Sequence, residues 1–226
     1  MTDYSSHETR TFNVDKRNVE DLKLLGKAND VWYMRFKRLM DIIIGIFGFG
    51  LLIFLYPIVA IITKLTSPGP VIYKQERVGL KGNIFTMYKF RTMINGAEMH
   101  TGPVWCKTND DRVTSFGKIL RKTKLDEIPQ FINVLKGEMS FIGPRPERPF
   151  FVNKLKEQVP KYLMRLLVKP GITGWAQIHV NYDKNIDDVV NKVNHDLYYI
   201  ENMSFLLDIK IILNTVKFIL FGKSGH

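Results

Sequence analysis

Between residues 121 and 147 the chain reads RKTKLDEIPQFINVLKGEMSFIGPRPE, which sets an acid pair, a short amphipathic run and a proline-flanked arginine side by side. That grouping suits phosphate chemistry. Pro129 fits the first turn of a helix, where its missing N–H costs nothing, and Ile128, Phe131, Ile132 and Leu135 recur at helical spacing until Lys136 and Gly137. Asp126 and Glu127 are therefore expected just ahead of a helix N-terminus. Free N–H groups there favour bound phosphate, and a carboxylate beside them can hold Mg²⁺ or attack phosphorus directly. Taken alone, the same pair could simply complement a helix dipole. Arg145 shifts the balance. It follows Gly143 and lies between Pro144 and Pro146, so its backbone has little freedom and its planar guanidinium is presented to an anion at low entropic cost. Without its neighbours it would read as a surface arginine in a Pro-rich turn; with the acids it points to a phosphate site.

The elements that must position these residues begin with composition. The 226 residues can bury one sizeable core, and a hydrophobic content of 45% argues against disorder. Lys and Arg outnumber Asp and Glu by 33 to 22, a formal charge of +11 that implies an anionic partner: lipid headgroup, nucleotide or nucleic acid. Cys106 is the only cysteine, so no internal disulfide or cysteine zinc cluster can form; beside Trp105 it reads as a small apolar residue. His7, His100, His179, His195 and His226 lack ligand spacing.

Residues 42–62, IIIGIFGFGLLIFLYPIVAII, carry no charge and are long enough to cross a hydrocarbon layer of about 30 Å. Cations crowd both ends: Arg35, Lys37 and Arg38 before, Lys64, Lys74, Arg77, Lys81, Lys89 and Arg91 after. The positive-inside rule expects an excess on one side only. Pro57 removes a backbone hydrogen bond and can bend the helix, so a re-entrant form that keeps both flanks on one face is favoured over a straight span. Residues 204–223 place Phe205, Ile209, Ile212, Leu213, Val216, Ile219 and Leu220 at helical spacing, with Asp208, Lys210, Asn214 and Lys217 elsewhere on the wheel. Such a helix suits either the membrane interface or the core.

Residues 1–33 form a polar extension without a targeting signature, too short for a folded domain. SPGP at 67–70 makes a rigid exit turn, and 71–75 and 84–90 read as a hairpin across 79–83. On the second strand Lys89 and Arg91 would share a face and could grip a diphosphate or form a solvated edge. Residues 97–111 read as loop and 114–122 as a short basic helix that brings Arg121 close to the acids. Residues 150–158 and 186–200 read as helices. KPGITGWAQ, 169–177, reads as a Gly-punctuated loop whose Trp175 could stack on a base or anchor a core.

With these residues in place, the chain resembles the bacterial sugar transferases, small monotopic polyprenyl-phosphate phosphoglycosyl transferases. KRLMD, SPGP, YKQERVG, MYKFRTM, LRKTKLDEIPQFINVLKGEMSFIGPRPE, VKPGITGWAQ and DLYYIENMSFLLDIKIIL carry the likeness in register over residues 36–216. The resemblance implies transfer of a sugar 1-phosphate from a UDP-sugar to a polyprenyl phosphate, undecaprenyl phosphate by expectation, with release of UMP. It implies that Asp126 is the nucleophile, Glu127 its partner, and Mg²⁺ a cofactor held by both. Arg145, Arg121, Lys89 and Arg91 are the expected phosphate ligands, Asp196 a further site candidate, and Thr173, Trp175 and Gln177 the nucleotide or sugar loop. The expected place is the cytoplasmic face of a bacterial inner membrane, in contact with its lipid and without nucleic acid; a homo-oligomer is left open. Two positions depart from the family pattern: Tyr56 precedes Pro57 where Ser is common, and IHVNYDKNIDD follows Gln177 instead of an asparagine-glycine-arginine run.

A basic, membrane-anchored scaffold that binds anionic lipid or nucleic acid without turnover is the competing expectation. It needs the cations but has no use for paired carboxylates at its anion site. The expected architecture is α+β, a small sheet surrounded by helices, divided as 1–34 extension, 35–66 re-entrant helix, 67–203 catalytic domain and 204–226 amphipathic helix and tail.

Overall fold

A computed structural model describes residues 30–99, 102–104, 110–180 and 185–221. The expectations for residues 1–29, for Trp105 and Cys106, and for His7, His100 and His226 lie outside these.

Helix α1, Val31–Thr66, starts where the Asp30 carboxylate accepts hydrogen bonds from the Trp32 and Tyr33 amides, and stops as the chain turns extended at Ser67. It contains Pro57 and is long and apolar enough to cross a membrane. Lys37, Asp41, Gly45, Gly48, Leu52, Val59 and Thr63 are buried, a stripe at helical spacing that follows the helix nearly end to end. At about 1.5 Å per residue this stripe is about 40 Å long. Phe47, Ile53, Phe54, Ile61 and Leu65 are exposed on the other side.

The two glycines in the stripe permit close approach. A Cβ on Gly45 would stand 2.8 Å from Leu135, and one on Gly48 would enter the Phe131 ring. Both neighbours belong to α3, Phe131–Lys136, which therefore packs directly on the α1 backbone. Gly48→Ala is expected to cost about 1–3 kcal/mol by overpacking, read as a lower melting temperature in detergent.

Strands β1, Ile72–Val78, and β2, Ile84–Phe90, form the expected hairpin, antiparallel with Ile72 opposite Phe90 and Val78 opposite Ile84. Its turn holds a 3-10 segment, Leu80–Gly82, in which Lys81 adopts a left-handed conformation. Helix α2, Ser115–Lys122, is capped by Thr114 Oγ1 on the Gly117 amide. A second sheet was not expected: β3, Ser140–Ile142, runs parallel to β4, Gly171–Thr173. The protein is α+β, and its sheet is two separate two-stranded ribbons. Three-residue strands are too short to show a period of two, so 171–173 reads as loop in sequence.

Helix α4, Pro149–Gln158, a 3-10 turn, Tyr162–Leu167, the short α5, Trp175–His179, and two long helices, α6, Ile186–Asn202, and α7, Phe205–Phe221, complete the fold. The main core gathers Val78, Phe151, Leu155, Val193, Ile200 and Ile211. A smaller cluster joins the second half of α1 to the hairpin and α2 through Leu52, Val59, Phe90 and Leu120.

On α7 the face against the core is Asp208 and Ile211, with Thr215 partly buried, while Phe205, Leu206, Leu213, Val216, Ile219 and Phe221 are exposed. The sequence wheel set Asp208 apart from the buried side; the structure turns it inward. Asp208 Oδ2 accepts hydrogen bonds from Tyr33 Oη at 2.8 Å and Lys37 Nζ at 3.2 Å, and Oδ1 accepts one from Tyr199 Oη at 2.8 Å. A carboxylate with three such donors belongs in the interior.

Candidate active site

The acid pair lies ahead of the α-helix α3, as expected, but inside a 3-10 turn, Leu125–Gln130, that runs into it. Lys124 enters it in the left-handed region, and the Glu127 amide donates to the Lys124 carbonyl. Pro129 sits within this tight turn as its fixed φ allows. Asn133, fully buried, then docks α3 on β2: its Oδ1 accepts from the Tyr88 amide at 3.2 Å and its Nδ2 donates to the Thr86 carbonyl at 2.7 Å. That register sets the acids against Lys89.

Glu127 Oε1 accepts from Lys89 Nζ at 2.8 Å and from Arg145 Nη2 at 2.5 Å, and Oε2 is 3.4 Å from Arg145 Nη1. Burial alone would raise the Glu127 carboxyl, but the Arg145 guanidinium and the Lys89 ammonium outweigh it and hold the group well below its ordinary range. Asp126 is the opposite case. It is buried, and among the described residues no hydrogen bond reaches its carboxylate. Burial and the neighbouring Glu127 charge raise its pKa, with Lys89 and Arg145 opposing. Burial lowers the Lys89 ammonium in turn, against the pull of Glu127. Adjacent carboxylates thus have different states: Glu127 is a clamped anion that organises two cations, and Asp126 is uncommitted. The Arg145 side chain keeps 35% of its surface exposed, so it marks where a ligand can enter.

The loop that carries Arg145 contains two prolines and is held through its carbonyls. Gly171 N–H donates to Pro144 O, Arg165 Nη2 to Arg145 O, Arg77 Nη1 to Pro146 O and Val78 N–H to Glu147 O, at 2.9 to 3.0 Å. Beneath it Gly143, Gly171 and Gly174 meet backbone to backbone; a Cβ on Gly171 would overlap the Gly143 amide. Gly171→Ala is expected to separate β3 from β4 and to lower stability, read by thermal unfolding.

The other expected site residues make contacts of their own. Arg91 falls one residue beyond β2 and turns to the SPGP segment, donating to Pro68 O at 2.6 Å, Ser67 O at 2.7 Å and Ser67 Oγ at 3.1 Å. It ties the end of α1 to the strand that bears Lys89, and the shared face expected for the two cations ends with the strand. Arg121 Nε donates to Thr92 Oγ1 at 2.8 Å. Asp196 forms a buried ion pair with Arg165 at 2.6 Å. Thr173 is buried, 2.7 Å from Thr215 Oγ1, and Gln177 donates to Ile172 O. Trp175 stacks on Tyr198 at 5.4 Å, beside His179 and under Lys210. These residues tie β4 and α5 to α6 and α7.

Arg77, Glu147 and Arg165 escaped the sequence reading. Arg165 carried a usable signal, since a lone arginine inside the apolar run YLMRLL must find partners if it is buried.

For Mg²⁺, Asp126 and the open side of Glu127 Oε2 are the carboxylate oxygens at hand, and among the described residues no cluster of three or more metal-ligating side chains occurs. That donor set fits an ion held by one or two carboxylates with the rest of its shell from phosphate and water, as Mg²⁺ accepts.

The profile of the family described as bacterial sugar transferase matches residues 32–222. The chain is 45% identical over 215 residues to a UDP-N-acetylgalactosamine-undecaprenyl-phosphate N-acetylgalactosaminephosphotransferase of Aeromonas hydrophila, covering 95% of this chain and 51% of the relative. It is 37% identical to a UDP-glucose:undecaprenyl-phosphate glucose-1-phosphate transferase of Xanthomonas campestris pv. campestris, covering 92% and 43%. An uncharacterized sugar transferase of Bacillus subtilis (strain 168) is 40% identical over 84% of this chain and 90% of its own length. The chain spans about half the length of the first two. With the profile running from the start of α1 to the end of α7, and the acid pair and its clamped arginine inside it, this chain belongs to the bacterial sugar transferase family.

Proposed function

We propose that the protein transfers a sugar 1-phosphate from a UDP-sugar to a polyprenyl phosphate, undecaprenyl phosphate in the relatives' names, and so begins the assembly of a lipid-linked glycan. The observation that carries this reading is the division of labour in the acid pair: Glu127 is occupied by Lys89 and Arg145, while Asp126 is buried beside the same cations with its oxygens uncommitted. In the first step an Asp126 oxygen bonds to the sugar-bearing phosphorus, the bond from that phosphorus to the bridging oxygen breaks, and UMP leaves with the electron pair. In the second an oxygen of the polyprenyl phosphate attacks the same phosphorus and the Asp126 oxygen is released as carboxylate. Two steps let two dissimilar substrates use one site in turn.

Arg145 and Lys89 bind and neutralise the diphosphate, and Glu127 keeps both cations aimed without offering itself as nucleophile. Mg²⁺, held by Asp126 and Glu127 Oε2 with diphosphate oxygens, would supply further charge neutralisation for the departing nucleotide. The measurement that tests the function is UMP release by detergent-purified protein with Mg²⁺, a polyprenyl phosphate and a panel of UDP-sugars. Release from none of them, with folded protein, would refute it.

Burial and the Glu127 charge raise the Asp126 pKa in the protein before Mg²⁺ binds, and Asp126 must be ionised to attack, so at limiting Mg²⁺ the acid limb of kcat/KM should lie at a higher pH than for an ordinary aspartate. Glu127→Gln removes a like charge and frees Lys89 and Arg145 to act on Asp126, so the acid limb of kcat/KM should move to lower pH while the maximal rate drops. An acid limb that moves upward in Glu127→Gln would contradict this assignment.

The site belongs at a bilayer surface, on the cytoplasmic face of an inner membrane where nucleotide sugars occur. Both ends of α1 rest on the same domain, Lys37 against Asp208 and Ser67 against Arg91, with Pro57 between; this supports a re-entrant helix over a straight span. The exposed apolar face of α7 supports an interfacial seat for that helix. In a Cys106→Ser background, single cysteines at Arg35 and Lys64 should react with an impermeant maleimide from the same side of sealed vesicles. Labelling from opposite sides would establish a span.

A further inference from the structure

We propose that Arg165, held by Asp196 and Tyr162, is a positioning residue that fixes where the Arg145 guanidinium meets the substrate diphosphate; this rests on the phosphoryl-transfer reading above. Arg165 is buried, and its donors are committed to protein acceptors. Its donors are spent in a fork: Nε and Nη2 go to Asp196 Oδ2 at 3.1 and 2.6 Å, Nη1 to Tyr162 Oη at 3.2 Å, and Nη2 also to the Arg145 carbonyl at 3.0 Å.

The need for this clamp comes from the loop sequence. Pro144 and Pro146 have no N–H, so the backbone on either side of Arg145 offers mainly carbonyls for attachment. All four carbonyls from Pro144 to Glu147 are taken, and the two central ones go to arginine side chains, Arg165 and Arg77. Glu147 pairs with Arg77 at 3.0 Å as Asp196 pairs with Arg165 at 2.6 Å. A guanidinium can bind its carboxylate and a carbonyl together through one rigid fork, which a lysine ammonium cannot reproduce. The charge of Asp196 is thus transmitted to the active site through a carbonyl: it holds Arg165, Arg165 holds the Arg145 backbone, and the proline-stiffened loop aims the side chain that meets Glu127.

The experiment is a double-mutant cycle of Asp196→Asn with Arg145→Ala, read as kcat/KM for UMP release and as Kd for UDP with Mg²⁺. Asp196→Asn alone is expected to lower kcat/KM about tenfold and to weaken UDP, and to change either by less than about twofold once Arg145 is alanine. Equal losses in both backgrounds would overturn the proposal, because a merely structural role does not depend on Arg145. Tyr162→Phe removes one acceptor while keeping the ring, and provides the same comparison if Asp196→Asn fails to fold. Turnover by the unmodified protein is the separate control on the transferase reading; if it is absent while UDP binds, the cycle is still decided by the Kd values.

Discussion

Asp126→Asn is expected to abolish sugar-phosphate transfer, with a loss of roughly 10⁴-fold or more, the scale seen when a nucleophile is removed from an enzyme that works through a covalent intermediate. The substitution is isosteric, and among the described residues no hydrogen bond depends on the Asp126 carboxylate, so the 3-10 turn should form as before. What is lost is the anionic oxygen that attacks phosphorus. In the absence of Mg²⁺, donor affinity should be kept or improved, because one negative charge beside the diphosphate is removed while Lys89 and Arg145 remain on Glu127. Mixing the unmodified protein with a labelled UDP-sugar and no lipid acceptor should leave the label on the protein, and the variant should retain none. A variant that turns over within about tenfold of the unmodified rate would exclude Asp126 as nucleophile.

Asp208→Ala is expected to produce the largest loss of stability, about 3–5 kcal/mol, as when one partner of a buried ion pair is deleted. The Asp208 carboxylate joins α1 to α7 and α6 by accepting from Lys37, Tyr33 and Tyr199. Alanine strands a buried ammonium and two phenolic hydroxyls at once. Asp208→Asn, which keeps an acceptor oxygen but not the charge, should lose less. Chemical unfolding in detergent measures both, and a loss below about 1 kcal/mol for the alanine variant would show that water replaces the carboxylate at little cost.

The parts of the fold legible in sequence were those with strong local signals. The short basic helix read at 114–122, the turn residues between β1 and β2, and the uncharged run centred on α1 each depend on short-range physics that a single stretch of chain can express. The acid pair and Arg145 were legible because their residue types are chemically unusual side by side. Arg91 was misplaced for a specific reason: strand alternation predicts a shared face with Lys89, but the strand stops at Phe90 and the guanidinium is claimed by the carbonyls of the α1 exit turn. Asp196 and Arg165 could not be paired from sequence, since they are 31 positions apart on different elements.

By itself the sequence determined the family, the apolar helix, the α+β character and the residues able to do phosphate chemistry, because composition, periodicity and motif order are properties of the chain. Only the tertiary structure decided which carboxylate is clamped and which is uncommitted. That distinction depends on where Lys89 and Arg145 reach Glu127, through Asn133 docking α3 on β2 and four held carbonyls orienting the proline loop. Hydrogen-bond geometry and burial set the charge state of each acid, and both arise from contacts between segments that are distant in the chain.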